Sequence, residues 1–372
     1  MTAMDQWHPA ATRLSRRALL LALAGPSAAL GASGGSVILP ADWTVYPDPS
    51  TEFDVRRLTS PLYSSFLPAW PGRAVSRRSD FVVLASDRTA TTALHRLDLK
   101  SGQSRVLYPL TDPRAFTLSS DDRTVCFRNR ESVFAISSMG ASHPVRLWQS
   151  ARSEERAPLC LVEDAATLWF TTSTVDGVAL MRIRLASRPE PILVLTHDAI
   201  LEPLPNPRRA LVLWRSTGDS LWLCEHDGAN LRRLDTPSGR VLQALWSPDG
   251  QSVLYLHDPR PAPGSVAIRE QDVDSRADRL VAATSQYACF ARNANASVFL
   301  GASRGQAGPY VFLMLRITRR ELPLCEHRSR DASASGLAVA PDSQRLLFQG
   351  DAEGRPVVYS MKLDKLVERT DF

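Results

Sequence analysis

A chain of 372 residues that is 44% hydrophobic can bury a core without crosslinks, and its five cysteines contain no C-x-x-C pair. That excludes a thiolate zinc site of familiar spacing and a dense disulfide framework; Cys126, Cys160, Cys224, Cys289 and Cys325 read as single thiols behaving as small hydrophobes. The net charge of +5 comes from arginines scattered as singles and pairs beside only three lysines, with no basic stripe interleaved with aromatics, which speaks against a nucleic-acid partner.

Residues 1–32 read as a signal peptide. Arg13, Arg16 and Arg17 form a positive start, an apolar stretch runs from Ala18 to Leu30, and Leu30–Gly31–Ala32 offers small residues for cleavage. Ser15–Arg16–Arg17–Ala18–Leu19–Leu20 resembles the twin-arginine export motif, with Arg16 and Arg17 as the pair, so the expected location is periplasmic or secreted. A Sec signal and an uncleaved anchor are the alternatives. The apolar run is short and broken by Gly25–Pro26, so no transmembrane domain is expected once it is removed. Residues 33–50, with three prolines, read as an irregular lead-in.

From residue 51 to the end the chain repeats itself. Polar turn clusters are followed by apolar runs anchored at Phe81, Val125, Leu168, Leu211, Val253, Val298 and Leu346, in steps of 42 to 48 residues. Seven units at that period predict an all-β domain over residues 51–372: a seven-bladed β-propeller of four-stranded blades. The uniformly apolar run is the second strand of each blade, sandwiched between neighbours; Leu94–Leu99 and Pro356–Met361 read as third strands. Phe53–Leu58 reads as an additional strand that completes the last blade and closes the ring. Leu366–Thr370 is the competing closure.

Leu245–Trp246–Ser247–Pro248–Asp249–Gly250 resembles the blade motif of TolB-like propellers. Val55–Arg56–Arg57–Leu58–Thr59, Leu97–Asp98–Leu99–Lys100–Ser101–Gly102, Asp227–Gly228–Ala229–Asn230 and Ala338–Val339–Ala340–Pro341–Asp342, taken in order, are similar to the oligogalacturonate lyase family over residues 51–363. That resemblance implies a polysaccharide lyase cleaving short galacturonate oligomers by β-elimination, with a manganese ion held mainly by histidines and a glutamine on first strands lining the channel mouth. The cation neutralises the uronate carboxylate, which acidifies the C5 proton for a base. The matched positions here hold Gln243, Tyr287, Ala288, Phe290, Ala334 and Gly336, and His197 stands two residues out of register. Alanine and glycine hold no cation, so neither cofactor nor family activity is expected; a divergent manganese-dependent lyase is the alternative.

Other chemistry is thin. His8, His95, His143, His226, His257 and His327 share no ligand spacing; His95 and His226 are placed in third strands and His257 after a second strand. Gly31–Ala32–Ser33–Gly34–Gly35 and Gly301–Ala302–Ser303–Arg304–Gly305 match G-x-S-x-G, but the first sits at the cleavage site and the second in an expected hairpin loop with no helix after it. Asp121–Asp122 reads as a solvated turn, and Arg304 and Arg319 as surface arginines. The expectation is an exported, monomeric binding propeller whose channel mouth takes a carbohydrate or protein ligand, with His197, Arg215, Gln243 and Tyr287 as possible contacts, no catalytic residue and no metal ligand.

Overall fold

Each apolar run is too short for a helix and too apolar for a solvated strand, and its solution is burial between two sheets. The computed structural model describes residues 37–370 apart from 141, 151–158, 162–165, 186–188, 218, 262–264 and 306–307. The leader, with Arg16, Arg17 and the first G-x-S-x-G match, lies outside the described residues. Seven antiparallel sheets follow one another along the chain, and all seven predicted anchors fall in second strands: Phe81–Ser86, Thr124–Asn129, Thr167–Thr174, Leu211–Arg215, Ser252–Asp258, Val298–Ser303 and Arg345–Gly350. Every residue of Phe81–Ser86 and Val298–Ser303 is buried. The chain is a seven-bladed β-propeller; the one helix among the described residues is a 3-10 turn at Ala332–Ala334.

The cores lie between blades. Leu245, Leu254 and Ile268 of blade 5 pack with Tyr287, Phe290 and Phe299 of blade 6. Val55, Phe348 and Tyr359 of blade 7 pack with Leu300 and Leu313 of blade 6. Each such buried side chain contributes about 1.5–3 kcal/mol, and because each cluster belongs to two blades, stability is a property of the ring.

Turns between first and second strands carry the polar punctuation. In Ser247–Pro248–Asp249–Gly250 the Gly250 amide donates to Ser247 C=O (3.0 Å) at φ +71°, and the Ser247 hydroxyl binds Asp249. Asn206 Nδ2 of blade 4 donates to Gly250 C=O at 2.8 Å, joining adjacent turns.

Asp54–Arg57 pairs with Val357–Lys362, registering Val55 with Met361, and is thereby the fourth strand of blade 7. The lead-in differs from the irregular segment predicted. Ile38–Leu39 adds a fifth strand to blade 1 and Thr44–Pro47 a fifth to blade 7, because the outermost strand of each offers free backbone groups. His257 lies inside its second strand, not after it, and His226 one residue beyond its third strand. Gly301–Ser303 is strand rather than loop: a Cβ at Gly301 would fall within the Tyr287 ring, so packing sets that glycine.

Candidate functional site

Alternation of antiparallel strands puts the second-to-third turns and the fourth-to-first connections at one rim of the ring. That rim, the mouth, is where the fold brings loop residues over the inner strands. On blades 4 to 6 it is a belt of ion pairs. Arg215, ending the second strand of blade 4, binds both oxygens of Glu202 at 3.2 and 3.0 Å and Asp219 at 3.2 Å; Arg240 takes the other Asp219 oxygen at 2.7 Å. Asp258, ending the second strand of blade 5, is buried, and Arg260 holds its carboxyl below the usual carboxylate range with Arg304 assisting at 3.4 Å.

The predicted contacts do not converge. Gln243, 8% exposed, uses its Oε1 to accept the Phe290 amide of blade 6 at 2.8 Å, joining two inner strands. Tyr287 is fully buried, stacked near Phe312 at 6.3 Å, and burial pushes its phenol far up. His197 ends the fourth, outermost strand of blade 3, with its ring 4.7 Å from Trp222 and 5.9 Å from Trp214, and its Nδ1 accepts the Ala199 amide at 3.3 Å. Arg215 is at the rim with its donors engaged.

Across the ring, on blades 7, 1 and 2, the mouth is built differently. Gln349 accepts the Leu67 amide (3.0 Å) and donates to Ala334 C=O (3.0 Å), and the Cys289 thiol sits 3.3 Å from both Ala332 C=O and the Ser335 hydroxyl. The inner strand of blade 1 is only Ser65–Phe66, resuming as a bridge between Val75 and Val82. Residues 67–74 leave it as a bulge. Its Ala69 amide donates to Arg114 C=O at 2.9 Å, and Arg73 C=O accepts from Leu118, so the bulge leans on the inner strand of blade 2. A Cβ at Gly72 would stand 2.8 Å from Phe116 C=O and from the Pro68 Cβ.

Two residues there went unnoticed in sequence. Trp70, on blade 1, packs against the core shared by blades 5 and 6, a contact made only through the ring interior. Among the described residues Arg114 has neither a side-chain hydrogen bond nor an ion pair; its buried Nε lacks a partner there, and desolvation lowers its pKa against the pull of Asp112 and Asp331. The available signals were Pro68, Pro71 and Gly72 around a tryptophan, which mark a break in a strand.

The lyase-type metal site can be tested on these side chains. Gln243 has its oxygen engaged by backbone, Ala288, Ala334 and Gly336 bring no donor, and burial pushes the Cys289 thiol up and away from the thiolate a metal needs. The residues present do not fit a manganese centre of that design. Among the described residues no group of three or more His, Cys, Asp or Glu is placed to hold a metal ion, and no helix is long and apolar enough to cross a membrane.

A cleft of about 510 Å³ opens at the opposite rim, between blades 5 and 6, lined by Asp249, Glu270, Asp272, Arg279 and Arg316. Both arginines are taken by Glu270, which binds Arg279 at 2.5 Å and Arg316 at 2.7 Å, while Asp249 and Asp272 accept hydrogen bonds within their own turns.

No protein-family model matches the sequence, and no curated protein matches it. Solved structures do. One is an oligogalacturonate lyase in complex with manganese, 17% identical with a TM-score of 0.79, covering 88% of this chain and 97% of that one. Another is the oligogalacturonate lyase of Vibrio parahaemolyticus, 14% identical with a TM-score of 0.79, covering 88% and 98%. TolB of Acinetobacter baumannii aligns at 13% identity and a TM-score of 0.48, covering 76% and 80%. The two lyase structures establish the shared propeller fold.

Proposed function

We propose that this chain is a binding propeller: its mouth takes an acidic saccharide without the manganese-dependent elimination of the lyases whose fold it shares. The carrying observation is Gln243 locked onto the Phe290 amide beside Ala288, Ala334 and Gly336, at the positions matched to the family's ligands. Eliminating a C4 substituent needs a cation beside the uronate carboxylate to acidify C5, and these side chains supply none. The acidic saccharide is carried over from the oligogalacturonate lyases whose fold the chain shares. The same reading makes residues 1–32 an export signal and the mature protein a periplasmic or secreted monomer.

The test is purified mature protein with digalacturonate and trigalacturonate, with and without added manganese. The expected result is substoichiometric bound metal, measurable saccharide binding and no rise in the ultraviolet absorbance of an unsaturated product. Manganese-dependent turnover that disappears in His197→Ala would restore the lyase assignment.

A further inference from the structure

At the rim opposite the mouth, the turns between third and fourth strands of blades 1 and 5 share one design. In blade 1, Asp98–Gln103 turns through Gly102 at φ +76°, and the Asp98 carboxylate accepts the Lys100 and Ser101 amides (3.0 and 2.6 Å) and the Ser101 hydroxyl (2.8 Å). In blade 5, Asp272–Ala277 turns through Arg276 at φ +60°, and Asp272 accepts the Asp274 and Ser275 amides (3.1 and 2.7 Å) and the Ser275 hydroxyl (2.8 Å). An aspartate locks each turn from inside, and a charged residue, Lys100 or Asp274, stands at the tip.

Blade 6 keeps the backbone of this turn and changes both residues. Leu315–Arg320 turns through Arg319 at φ +55°, and the Arg319 amide donates to Leu315 C=O at 2.8 Å, as Gly102 does to Asp98 C=O at 2.9 Å. Leu315 stands where Asp98 and Asp272 stand and can accept no turn amide. Ile317 stands at the tip, where the others are charged. It is 91% exposed, the most exposed large hydrophobic side chain among the described residues. The fold gains nothing from either change: the aspartate lock is lost and an aliphatic side chain is left in water.

The surroundings of this tip are basic. Arg316 turns inward to Glu270 at 2.7 Å, whereas Arg319 and Arg320 are exposed and make no ion pair among the described residues. On blade 7, next in the ring, Lys362 and Lys365 are exposed at the same rim with Asp364 between them, and Lys100 tips the blade 1 turn. All three lysines of a chain that otherwise uses arginine therefore lie on this rim. The blade 5 turn presents Asp272 and Asp274 instead, which confines the basic face to blades 6, 7 and 1. One protruding aliphatic side chain among cations is too small for a protein interface, which buries about 800 Å² per partner around an apolar centre. It fits a surface that offers negative charge outside and an apolar interior directly beneath, as an anionic lipid layer does.

We propose that the blade 6 turn is a membrane-docking tip: Ile317 enters the headgroup boundary of an anionic lipid layer, and Arg319, Arg320 and the lysines of blades 7 and 1 meet its negative surface. Because this rim is opposite the mouth, the docked propeller holds its mouth toward water. The proposal does not depend on what the mouth binds.

The experiment is co-sedimentation of the mature chain, residues 33–372, with vesicles of phosphatidylcholine alone and of phosphatidylcholine mixed with phosphatidylglycerol, at low and high salt. Binding is expected to the mixed vesicles, weakened by salt, and not to phosphatidylcholine alone. Ile317→Ser should weaken it about 10-fold, the worth of one buried aliphatic side chain. Arg319→Gln combined with Arg320→Gln should weaken it about 30-fold. Val175→Ser, at an exposed apolar residue of the mouth rim, should bind as wild type. All four positions are exposed, so unfolding midpoints should match wild type and show that lost binding is not lost folding. No binding to the mixed vesicles overturns the proposal. So does binding that Ile317→Ser leaves unchanged, which would reduce the contact to charge alone. Polyglutamate bound as tightly as the vesicles, with no dependence on Ile317, would assign the basic face to an acidic polypeptide and overturn the lipid reading.

Discussion

The two halves of the mouth solve the same problem in opposite ways. On blades 4 to 6, Arg215, Arg240, Arg260 and Arg304 reach over the rim and find Glu202, Asp219 and Asp258 within 3.4 Å. Their charges are consumed inside the fold. On blades 1 and 2 the strand opens into a bulge, Trp70 packs across the ring, and Arg114 stays without a side-chain partner among the described residues. A satisfied cluster holds blades together, whereas an unsatisfied one is held in place by the blades. The difference separates a rim whose arginines are paired from one that leaves a guanidinium nitrogen without an acceptor, a distinction that residue type alone does not draw.

The sharpest way to break the comparison is through the packing that each half tolerates. At Gly301, in blade 6, an added Cβ would fall within the fully buried Tyr287 ring, and neither group has room to yield. Gly301→Ala is expected to cost at least about 3 kcal/mol, the upper end of overpacking. At Gly336, in blade 7, the nearest atoms to a new Cβ are 3.7 Å away, and only the φ of +56° opposes it. Gly336→Ala should cost about 1 kcal/mol. Denaturant midpoints of the two variants measure both; a Gly336→Ala as damaging as Gly301→Ala would mean that the blade 7 rim is packed as tightly as blade 6.

Acid separates the halves next. His95, in the third strand of blade 1, is 1% exposed, and desolvation by burial lowers its pKa from 6.5 to about 4. The unfolded chain therefore takes up a proton below pH 6.5 while the folded chain resists until about pH 4. Stability is whole above the unfolded value and falls through that window, by about 3 kcal/mol when complete. Asp258 on blade 5 is shifted the same way, by Arg260, but its contribution is lost only below the ordinary carboxylate value near 3.8. Urea unfolding from pH 7 to 4 should show the first loss, and His95→Phe should flatten it. Unchanged pH dependence in that variant would move the loss elsewhere.

What the sequence made legible follows its physics. A second strand packed between two blades must be apolar along its whole length, so Phe81, Val125 and Leu346 announce themselves, and the spacing counts the blades. The Ser247–Pro248–Asp249–Gly250 turn is equally local: Gly250 at φ +71° and the Asp249 carboxylate bonded inside the turn need only neighbouring residues. The site is not local. Gln243 looked free to meet a ligand, but its partner, the Phe290 amide, is 47 residues away. Tyr287 looked like a rim aromatic and is a core residue, because Gly301 makes the hole it fills. Arg114 resembles every other arginine in a chain rich in them, and that its Nε, like that of Arg182, is buried without an acceptor among the described residues is visible only in three dimensions. The lead-in shows the same limit: nothing in Thr44–Pro47 signals a strand until Asp54–Arg57 presents its edge.

The smallest effect tests the comparison most directly, because it asks the same substitution of both halves. Arg215→Gln removes the cation that Glu202 and Asp219 share at 3.0 and 3.2 Å, with side chains 23% and 17% exposed. Arg240 still covers Asp219, while Glu202 loses its bidentate partner, so the cost is about 1–2 kcal/mol. Arg114→Gln removes a guanidinium that makes no hydrogen bond and no ion pair among the described residues and is disfavoured by its own desolvation, so stability should stay within about 0.5 kcal/mol of wild type. The measurement is chemical unfolding of both variants at pH 7 without ligand. If Arg114→Gln destabilises the chain as much as Arg215→Gln, then Arg114 is bound into the fold after all and the two halves of the mouth are alike. If it is neutral, Arg114 contributes nothing to folding, and the two halves of the mouth differ in how their arginines are held.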